Sequence, residues 1–254
     1  MQNKTFSGLF VGQNIVSLKR VDSTNDYLKK QVANSKPLPE GTVILAEDQF
    51  AGRGQFNNNW VSQPGKNLTF SILLSPTFLP LSQQFSLNIA ISLAINDALC
   101  SFIGSECKIK WPNDIFFHDQ KLGGVLIENI VRGANWKYSI VGIGLNVNQT
   151  SFPGSIKNIT STALITKREL VLNDVLTHLC TAIEKRFGQL KNGELVLQRE
   201  EYTTKLYRLN TLAAFEREGV RFDAEITGVT EAGLLELKTK DGLRCFGLKE
   251  LKYI

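Results

Sequence analysis

A glycine-rich loop between two strand patterns is the feature that most constrains this chain. The loop, residues 50–60, reads FAGRGQFNNNW, with a glycine on each side of Arg53. Residues 42–47 before it form an apolar run typical of a buried strand, and residues 67–74 after it alternate apolar and polar side chains as a strand does. Glycine lets backbone N–H groups approach an anion closely, and a guanidinium can bind two phosphate oxygens at once. The sequence therefore predicts a loop that binds a nucleotide or an acyl phosphate.

The remaining pattern up to residue 207 predicts an α+β domain with a mixed sheet. Ser23 or Thr24 can cap a short helix, and apolar residues recurring every three to four positions predict longer helices further along. The expected helices cover residues 24–33, 83–103 and two stretches between 175 and 206. The further expected strands cover residues 108–111, 115–118, 124–129 and 136–147.

After Arg208 the pattern changes to short β-rich runs with tight turns. The turns contain Glu218-Gly219, Ala232-Gly233 and Asp241-Gly242, and such pairs are typical of hairpins. This pattern of short strands and tight turns predicts a small β-barrel over residues 208–254, attached to a larger domain over residues 1–207. The expected strands cover residues 211–215, 220–229, 234–239 and 243–248.

Composition and charge exclude several classes of protein. The chain is 43% hydrophobic and 21% charged, which is ordinary for a globular protein. Its net charge of +5 is not concentrated in a run of Lys and Arg, so no nucleic-acid footprint is indicated. Four cysteines without a C-x-x-C pair and two histidines without zinc spacing predict reduced thiols and no metal site.

The location expected from the sequence is the cytoplasm. Residues 1–20 lack the apolar core of a signal peptide, and longer apolar stretches are interrupted by Ser, Asn and Asp before they would span a bilayer. No association with a membrane is therefore expected.

A second block, KWPNDIFFHDQKLGG at residues 110–124, complements the glycine-rich loop. Together with Ser23-Thr24-Asn25 and with GIGLN at residues 142–146, these blocks resemble the biotin protein ligases, in the order found in that family. The resemblance covers residues 20–150 or so. It implies a mixed-sheet catalytic domain of the biotin/lipoate ligase type, followed by a small SH3-like β-barrel.

The resemblance also implies a two-step reaction. Biotin is first activated with ATP and Mg²⁺ to biotinyl-5'-AMP, and a lysine of a biotin carboxyl carrier protein then takes the biotin. A carboxylate does not acylate an amine directly, because its leaving group would be an oxide; the mixed anhydride with AMP solves this problem. The family block begins at Ser23, which leaves too few residues ahead of it for a winged helix. We therefore expect the short form of the family, which lacks the N-terminal DNA-binding domain. The sequence leaves open whether the protein forms a homodimer.

Site residues carry over from the matching blocks. Asp114 would help remove a proton from the acceptor amine or would only orient groups. The expected catalytic residues are Arg53, Lys110, Lys121 and Asp114. The expected biotin-binding residues are Ser23, Thr24, Asn25, Gln49, Gly52, Arg53, Lys121 and Gly124. The expected nucleotide-binding residues are Arg53, Gly54, Gln55, Trp60, Lys110, Asn113 and Asn146.

One position departs from the family pattern. Many members read Gly-Arg-Gly-Arg-x-Gly, whereas this chain has Gln55 at the second arginine and Asn57 at the third glycine. We predict that Gln55 makes neutral hydrogen bonds where the arginine would help hold a closed loop, which affects retention of the adenylate.

The sequence is compatible with two alternative functions. A lipoate–protein ligase shares the architecture and the adenylate chemistry but not the charged blocks. A non-catalytic nucleotide-binding regulator would account for the loop alone, although the loop is neither a Walker motif nor a dinucleotide fingerprint. A serine hydrolase is disfavoured because the chain has no G-x-S-x-G elbow.

Overall fold

A seven-stranded mixed sheet forms the centre of the computed structural model, which describes residues 10–33, 38–55, 58–133 and 135–254. The strands run in the spatial order β1-β2-β3-β7-β6-β5-β4. Strands β1 and β2 are parallel, and every other neighbouring pair is antiparallel. The predicted mixed sheet is therefore confirmed. Its members are β1 (Ile15–Val21), β2 (Val43–Gln49), β3 (Leu68–Leu74), β4 (Cys107–Lys110), β5 (Asp114–Phe117), β6 (Gln120–Arg132) and β7 (Asn135–Leu145).

The helices of the first 207 residues pack around this sheet and against each other. Helix α2 packs against α4 and α5, and the buried face of α4 is the one predicted from its apolar spacing. Gly104 ends α2 with a positive φ of 76°, as a C-terminal glycine does. Their bounds are α1 (Thr24–Ala33), α2 (Gln84–Ile103), α3 (Thr162–Thr166), α4 (Leu172–Lys191) and α5 (Leu195–Thr204).

Helix α2 is long and strongly apolar. Among the described residues one helical stretch, Leu81–Ile103, is long and apolar enough to cross a membrane by length and composition. Most of its apolar residues are buried inside the molecule, including Ile89 and Leu93. In this fold the segment is a core helix.

The chain after residue 208 forms a second, five-stranded antiparallel sheet in the order β11-β10-β9-β8-β12. The hairpin between β8 and β9 turns at Glu218 and Gly219, whose φ values are 52° and 81°, as the turn residues predicted. Within the described part of the chain β11 and β12 do not pair, so the sheet is open and not the closed barrel that was expected. Its strands are β8 (Leu212–Arg217), β9 (Val220–Val229), β10 (Leu235–Thr239), β11 (Gly242–Phe246) and β12 (Lys252–Tyr253).

Strand β3 differs from its pattern in one respect. Alternation of apolar and polar residues predicted one polar face, yet all seven residues are buried. Thr69 and Ser71 are buried because α1 packs on that face, and their hydroxyls donate hydrogen bonds to Ala46 of β2 and to Asn25 of α1. Ser71 thereby reaches the candidate site.

The turn between β9 and β10 and helix α5 both make hydrogen bonds that hold the segment around Trp111. The Trp111 indole donates to the carbonyl of Gly233 at 3.0 Å, and Tyr202 in α5 donates to the carbonyl of Pro112 at 2.7 Å. A Cβ built on Gly233 would lie 2.3 Å from the ring of Phe85. Glycine at this turn therefore permits the close approach that fixes the 110–114 segment.

Candidate active site

A cavity of about 270 Å³ opens where the start of α1, the end of β2 and the middle of β6 and β7 meet. All four sequence blocks contribute to its wall, although the first and the last are more than a hundred residues apart in the chain. Eleven of the fifteen predicted site residues line it: Ser23, Thr24, Asn25, Gln49, Arg53, Gly54, Gln55, Trp60, Asp114, Lys121 and Gly124.

A buried hydrogen-bond network fixes the polar side chains of one wall. Gln49 Oε1 accepts from the backbone N–H and the hydroxyl of Thr24 at 2.7 and 3.0 Å. Asn25 donates to the carbonyl of Leu126 and to Glu128, and its Oδ1 accepts from Ser71 at 2.6 Å. These contacts leave Gln49 Nε2 and one lone pair of Asn25 Oδ1 without a hydrogen-bond partner among the described residues.

Two residues of this wall also serve the fold. The hydroxyl of Ser23 accepts from the N–H of Asp26 at 3.4 Å, so Ser23 caps α1 as well as lining the cavity. A Cβ on Gly142 would lie 2.3 Å from Asn25 Oδ1. The first glycine of the GIGLN block therefore makes room for the Asn25 side chain.

Lys121 and Asp114 form an ion pair on neighbouring strands, with Nζ 2.7 Å from Oδ1. Hydrogen bonds with Asn158 and Thr160 fix the Lys121 backbone. A Cβ on Gly124 would lie 2.8 Å from the same Asp114 oxygen. Glycine at position 124 therefore gives the pair its space.

Arg53 is held by two carboxylates that the sequence analysis did not single out. Its Nη2 lies 2.7 Å from Asp26 Oδ1 and 2.9 Å from Glu128 Oε2. Lys29 contacts the other oxygen of Glu128. Burial alone would raise the pKa of Glu128, but hydrogen bonds from Lys29 and Asn25 and the charges of Lys29 and Arg53 outweigh it and lower that pKa.

The indole ring of Trp60 packs against Gly144 of β7. A Cβ on Gly144 would be 2.4 Å from the indole ring, and the indole N–H is buried without a hydrogen-bond partner in the described residues. The N–H of Trp60 donates to the carbonyl of Gly52 at 2.9 Å, which closes the loop. A Cβ on Gly52 would meet the Trp60 carbonyl oxygen at 2.5 Å.

Four predicted site residues lie near the cavity without lining it: Gly52, Lys110, Asn113 and Asn146. Gly52 accepts the hydrogen bond from the Trp60 N–H that closes the loop. Asn113 is buried and donates to the carbonyl of Val125, and buried Asn146 donates to that of Thr160, with its Oδ1 unpartnered among described residues. Asn57, where the family pattern has a glycine, lies outside the described residues.

Lys110 lies behind the ion pair of Asp114 and Lys121. Its Nζ is 5.0 Å from the ring centre of Phe116 and 4.6 Å from that of Tyr253, a residue of the C-terminal sheet. Burial lowers the pKa of Lys110, while the charge of Asp114 opposes this change. The second sheet thus contributes a ring to the surroundings of a predicted catalytic lysine.

Several apolar and acidic residues of the site were not predicted from the sequence. Apolar Phe70, Val125 and Ile143 line the cavity but have the pattern of ordinary strand core. A signal for the acids was present, because Asp26 directly follows the Ser-Thr-Asn block and Glu128 is four residues after Gly124, on the same face of a strand. Among the described residues no three His, Cys, Asp or Glu are grouped to hold a metal ion.

Comparisons with known proteins agree with the motifs. Residues 17–146 match the Biotin/lipoate A/B protein ligase family. The chain is 28% identical to the bifunctional ligase/repressor BirA of Bacillus spizizenii over 237 residues, 92% of this chain and 72% of that protein. It is 33% identical to the biotin–[acetyl-CoA-carboxylase] ligase of Paracoccus denitrificans over 142 residues, 55% of this chain and 57% of that one.

A similar fold occurs in solved structures. A biotin protein ligase from Aquifex aeolicus, in complex with biotin and ATP, matches with a TM-score of 0.81 and 28% sequence identity. The match covers 95% of this chain and 100% of that one. The matched region therefore includes most of both sheets described above.

Proposed function

Since this chain belongs to the Biotin/lipoate A/B protein ligase family, we propose that it is an ATP-dependent biotin–protein ligase. It activates biotin to biotinyl-5'-AMP and transfers the biotin to a lysine of a biotin carboxyl carrier protein. The observation that carries this proposal is the meeting of all four sequence blocks at one cavity, in a fold that matches a ligase structure holding biotin and ATP.

The polar wall suits the ureido ring of biotin. That ring carries one carbonyl and two N–H groups, so it needs at least one donor and one acceptor from the protein. Gln49 Nε2 offers the donor, and Asn25 Oδ1 keeps a lone pair to accept. Because both side chains are fixed by other hydrogen bonds, they present these atoms without further loss of rotamer freedom.

The cations suit the first chemical step. Biotin's carboxylate attacks the α-phosphorus of ATP and pyrophosphate leaves, so two anions must be held together while charge develops. Arg53 and Lys121 line the same cavity, and Lys110 pairs with Asp114 on the adjacent strand. Magnesium is part of the Mg·ATP substrate, since it binds mainly through phosphates and waters.

The pair of Lys121 and Asp114 suits the second step. An acceptor lysine must lose a proton as its amine attacks the acyl carbon and AMP leaves. The Asp114 carboxylate lines the cavity beside Lys121 Nζ, within reach of a group bound to that wall. We assign the proton-accepting role to Asp114 and the positioning of the anhydride to Lys121.

The acceptor, the location and the domain division belong to the same proposal. The carboxylase named in one relative makes a biotin-accepting carboxylase domain the expected partner. The cytoplasm is the location predicted from the sequence. We place the domain boundary at residues 207 and 208, because Leu206 bridges to Ile109 of the first sheet and Leu209 bridges to Ile226 of the second. The C-terminal unit would be the SH3-like module of these ligases.

The direct test supplies the protein with magnesium, ATP, labelled biotin and a biotin carboxyl carrier domain. Label transfer is expected from the unaltered chain and not from Lys121→Ala. Lys191→Ala, at the exposed end of α4, is the matched lysine control and should transfer normally. Undiminished transfer by Lys121→Ala would remove Lys121 from the mechanism.

A parallel measurement of pyrophosphate exchange separates the alternatives. Exchange stimulated by biotin supports the proposal, and exchange stimulated only by lipoate would identify a lipoate–protein ligase. ATP binding without pyrophosphate exchange in the presence of biotin or of lipoate would instead indicate a non-catalytic nucleotide-binding regulator.

A further inference from the structure

Among the described residues, one nitrogen of the Arg53 guanidinium, Nη2, makes all the ion-pair contacts of this side chain. Nη2 lies 2.7 Å from Asp26 Oδ1, and 3.2 and 2.9 Å from the two oxygens of Glu128. Nε and Nη1 make no hydrogen bond to any residue that the structure describes. A guanidinium has five N–H groups in a rigid fork, so most of its donors are still available.

The two carboxylates belong to regular elements, whereas Arg53 belongs to a loop. Asp26 lies in the first turn of α1 and Glu128 lies in β6. The Arg53 side chain is 37% exposed and that of Glu128 is 21% exposed, so this pairing is partly shielded from water. The carboxylates thus fix the guanidinium at the cavity wall.

The charge of the cluster is balanced. Lys29 contacts Glu128 and lies 3.8 Å from Asp26 Oδ1, so two cations accompany two carboxylates. A balanced cluster does not present net negative charge to an incoming phosphate. The carboxylates can therefore hold Arg53 without repelling an anionic ligand from the remaining N–H groups.

Glu128 also connects Arg53 to the polar wall. The oxygen that accepts from Arg53, Oε2, accepts from Asn25 Nδ2 at 2.7 Å. Asn25 in turn is fixed by Ser71. The Glu128 carboxylate therefore sets the distance between Asn25 of the polar wall and Arg53 of the loop.

We propose that Asp26 and Glu128 are positioning residues for Arg53, and the proposal rests on the function proposed above. They hold one edge of the guanidinium so that Nε and Nη1 face the anionic reactants. A long side chain that is already ordered loses less entropy when it binds a phosphate. Removal of either carboxylate therefore weakens ATP binding through Arg53 and not through the fold.

The experiment is a double-mutant cycle on Asp26 and Arg53. Asp26 is the cleaner probe, because among the described residues its side chain contacts Arg53 and Lys29 and not the polar wall. The affinity for α,β-methylene-ATP, which does not react, is measured by calorimetry with biotin present for the unaltered chain, Asp26→Asn, Arg53→Ala and the double variant. We expect Asp26→Asn to raise the Kd about tenfold, and to add no further loss in the Arg53→Ala background.

Two further variants define the outcome. Glu128→Gln should act like Asp26→Asn, and Asp48→Asn, which removes the carboxylate of the exposed Arg20–Asp48 pair, should leave the Kd unchanged. A lower Kd in Asp26→Asn would mean that the carboxylates compete with the ligand, and a full additional loss in the double variant would mean that Asp26 acts through the fold; either result overturns the proposal. Biotin-dependent pyrophosphate exchange by the unaltered chain is measured beside them, so that failure of the proposed function is recognised separately.

Discussion

Lys121 Nζ lies 2.7 Å from Asp114 Oδ1, and the two residues reach the cavity from adjacent strands. The ion pair holds the Lys121 side chain in one position, because a charge-assisted hydrogen bond fixes its terminal group. That group can then polarise the acyl phosphate, while the second carboxylate oxygen of Asp114, Oδ2, is available to accept a proton from another group.

Asp114→Asn should separate the two steps of the reaction. Transfer from preformed biotinyl-5'-AMP to the acceptor is expected to slow by about a hundredfold or more, the usual contribution of a positioned base. Adenylate formation should change less, because no amine loses a proton in that step. Single-turnover assays of each step make the measurement. Equal slowing of both steps would instead assign Asp114 to holding Lys121.

Gly144→Ala should weaken ATP binding through Trp60. The added Cβ would lie 2.4 Å from the indole ring, so the ring must move from the place where it is expected to stack on adenine. Stacking of a base on an aromatic ring contributes roughly 1–3 kcal/mol, and we expect the KM for ATP to rise about tenfold. The Kd for biotin should change much less.

Gly188→Ala is the matched glycine control. Gly188 lies inside α4, and a Cβ there meets nothing within 4 Å. Alanine is the better helix former by roughly 1 kcal/mol, so thermal unfolding should occur at a higher temperature with kinetics unchanged. An unchanged KM for ATP in Gly144→Ala, beside a normal control, would contradict the role of Trp60.

Local patterns predicted most of the elements, because their signals lie within a few neighbouring residues. The apolar spacing of α4 and the Glu218-Gly219 turn both depend on local backbone geometry. Strand β1 was missed because it is an edge strand whose outward positions include Lys19 and Arg20. Its partner β2 begins more than twenty residues later in the chain, and one sequence does not reveal pairing at that distance.

The site was predictable where a motif marked it and not where only the fold brings residues together. Lys121 and Gly124 were found because they share a block. Asp26 and Glu128 are about a hundred residues apart in the chain and meet through Arg53 and Lys29. The same limit applies to Tyr253, which reaches Lys110 from the C-terminal sheet.

Glu201→Gln should lower stability at neutral pH and reduce its dependence on acid. Arg186 is buried and pairs with Asp97 and Glu201, and its hydrogen bond lowers the pKa of Glu201. Because that pKa is lowered on folding, the stabilisation is present above the ordinary pKa of a glutamate and is lost as the pH falls through the lower value.

We expect a loss of about 1 kcal/mol in the free energy of unfolding at pH 7, less than for a fully buried pair because Glu201 is 40% exposed. Urea unfolding at pH 7 and at acidic pH makes the measurement. Glu169→Gln removes an acid that is 66% exposed and pairs with Lys66, and should change nothing measurable. The same loss in both variants would argue against the Arg186 cluster.

Gln55→Arg should make the protein retain its adenylate longer. Gln55 lines the cavity at the position where many family members have a second loop arginine, and its amide carries no charge. An arginine there adds a cation beside the phosphate of biotinyl-5'-AMP, and charge-assisted hydrogen bonds are roughly twice as strong as neutral ones. We expect release of labelled adenylate from a preformed complex to slow about tenfold. Gln55→Met, similar in length but unable to donate, should release it no more slowly than the unaltered chain. Release at the same rate in Gln55→Arg would show that the loop cation at this position does not control retention, and that Arg53 and Lys121 hold the intermediate without it.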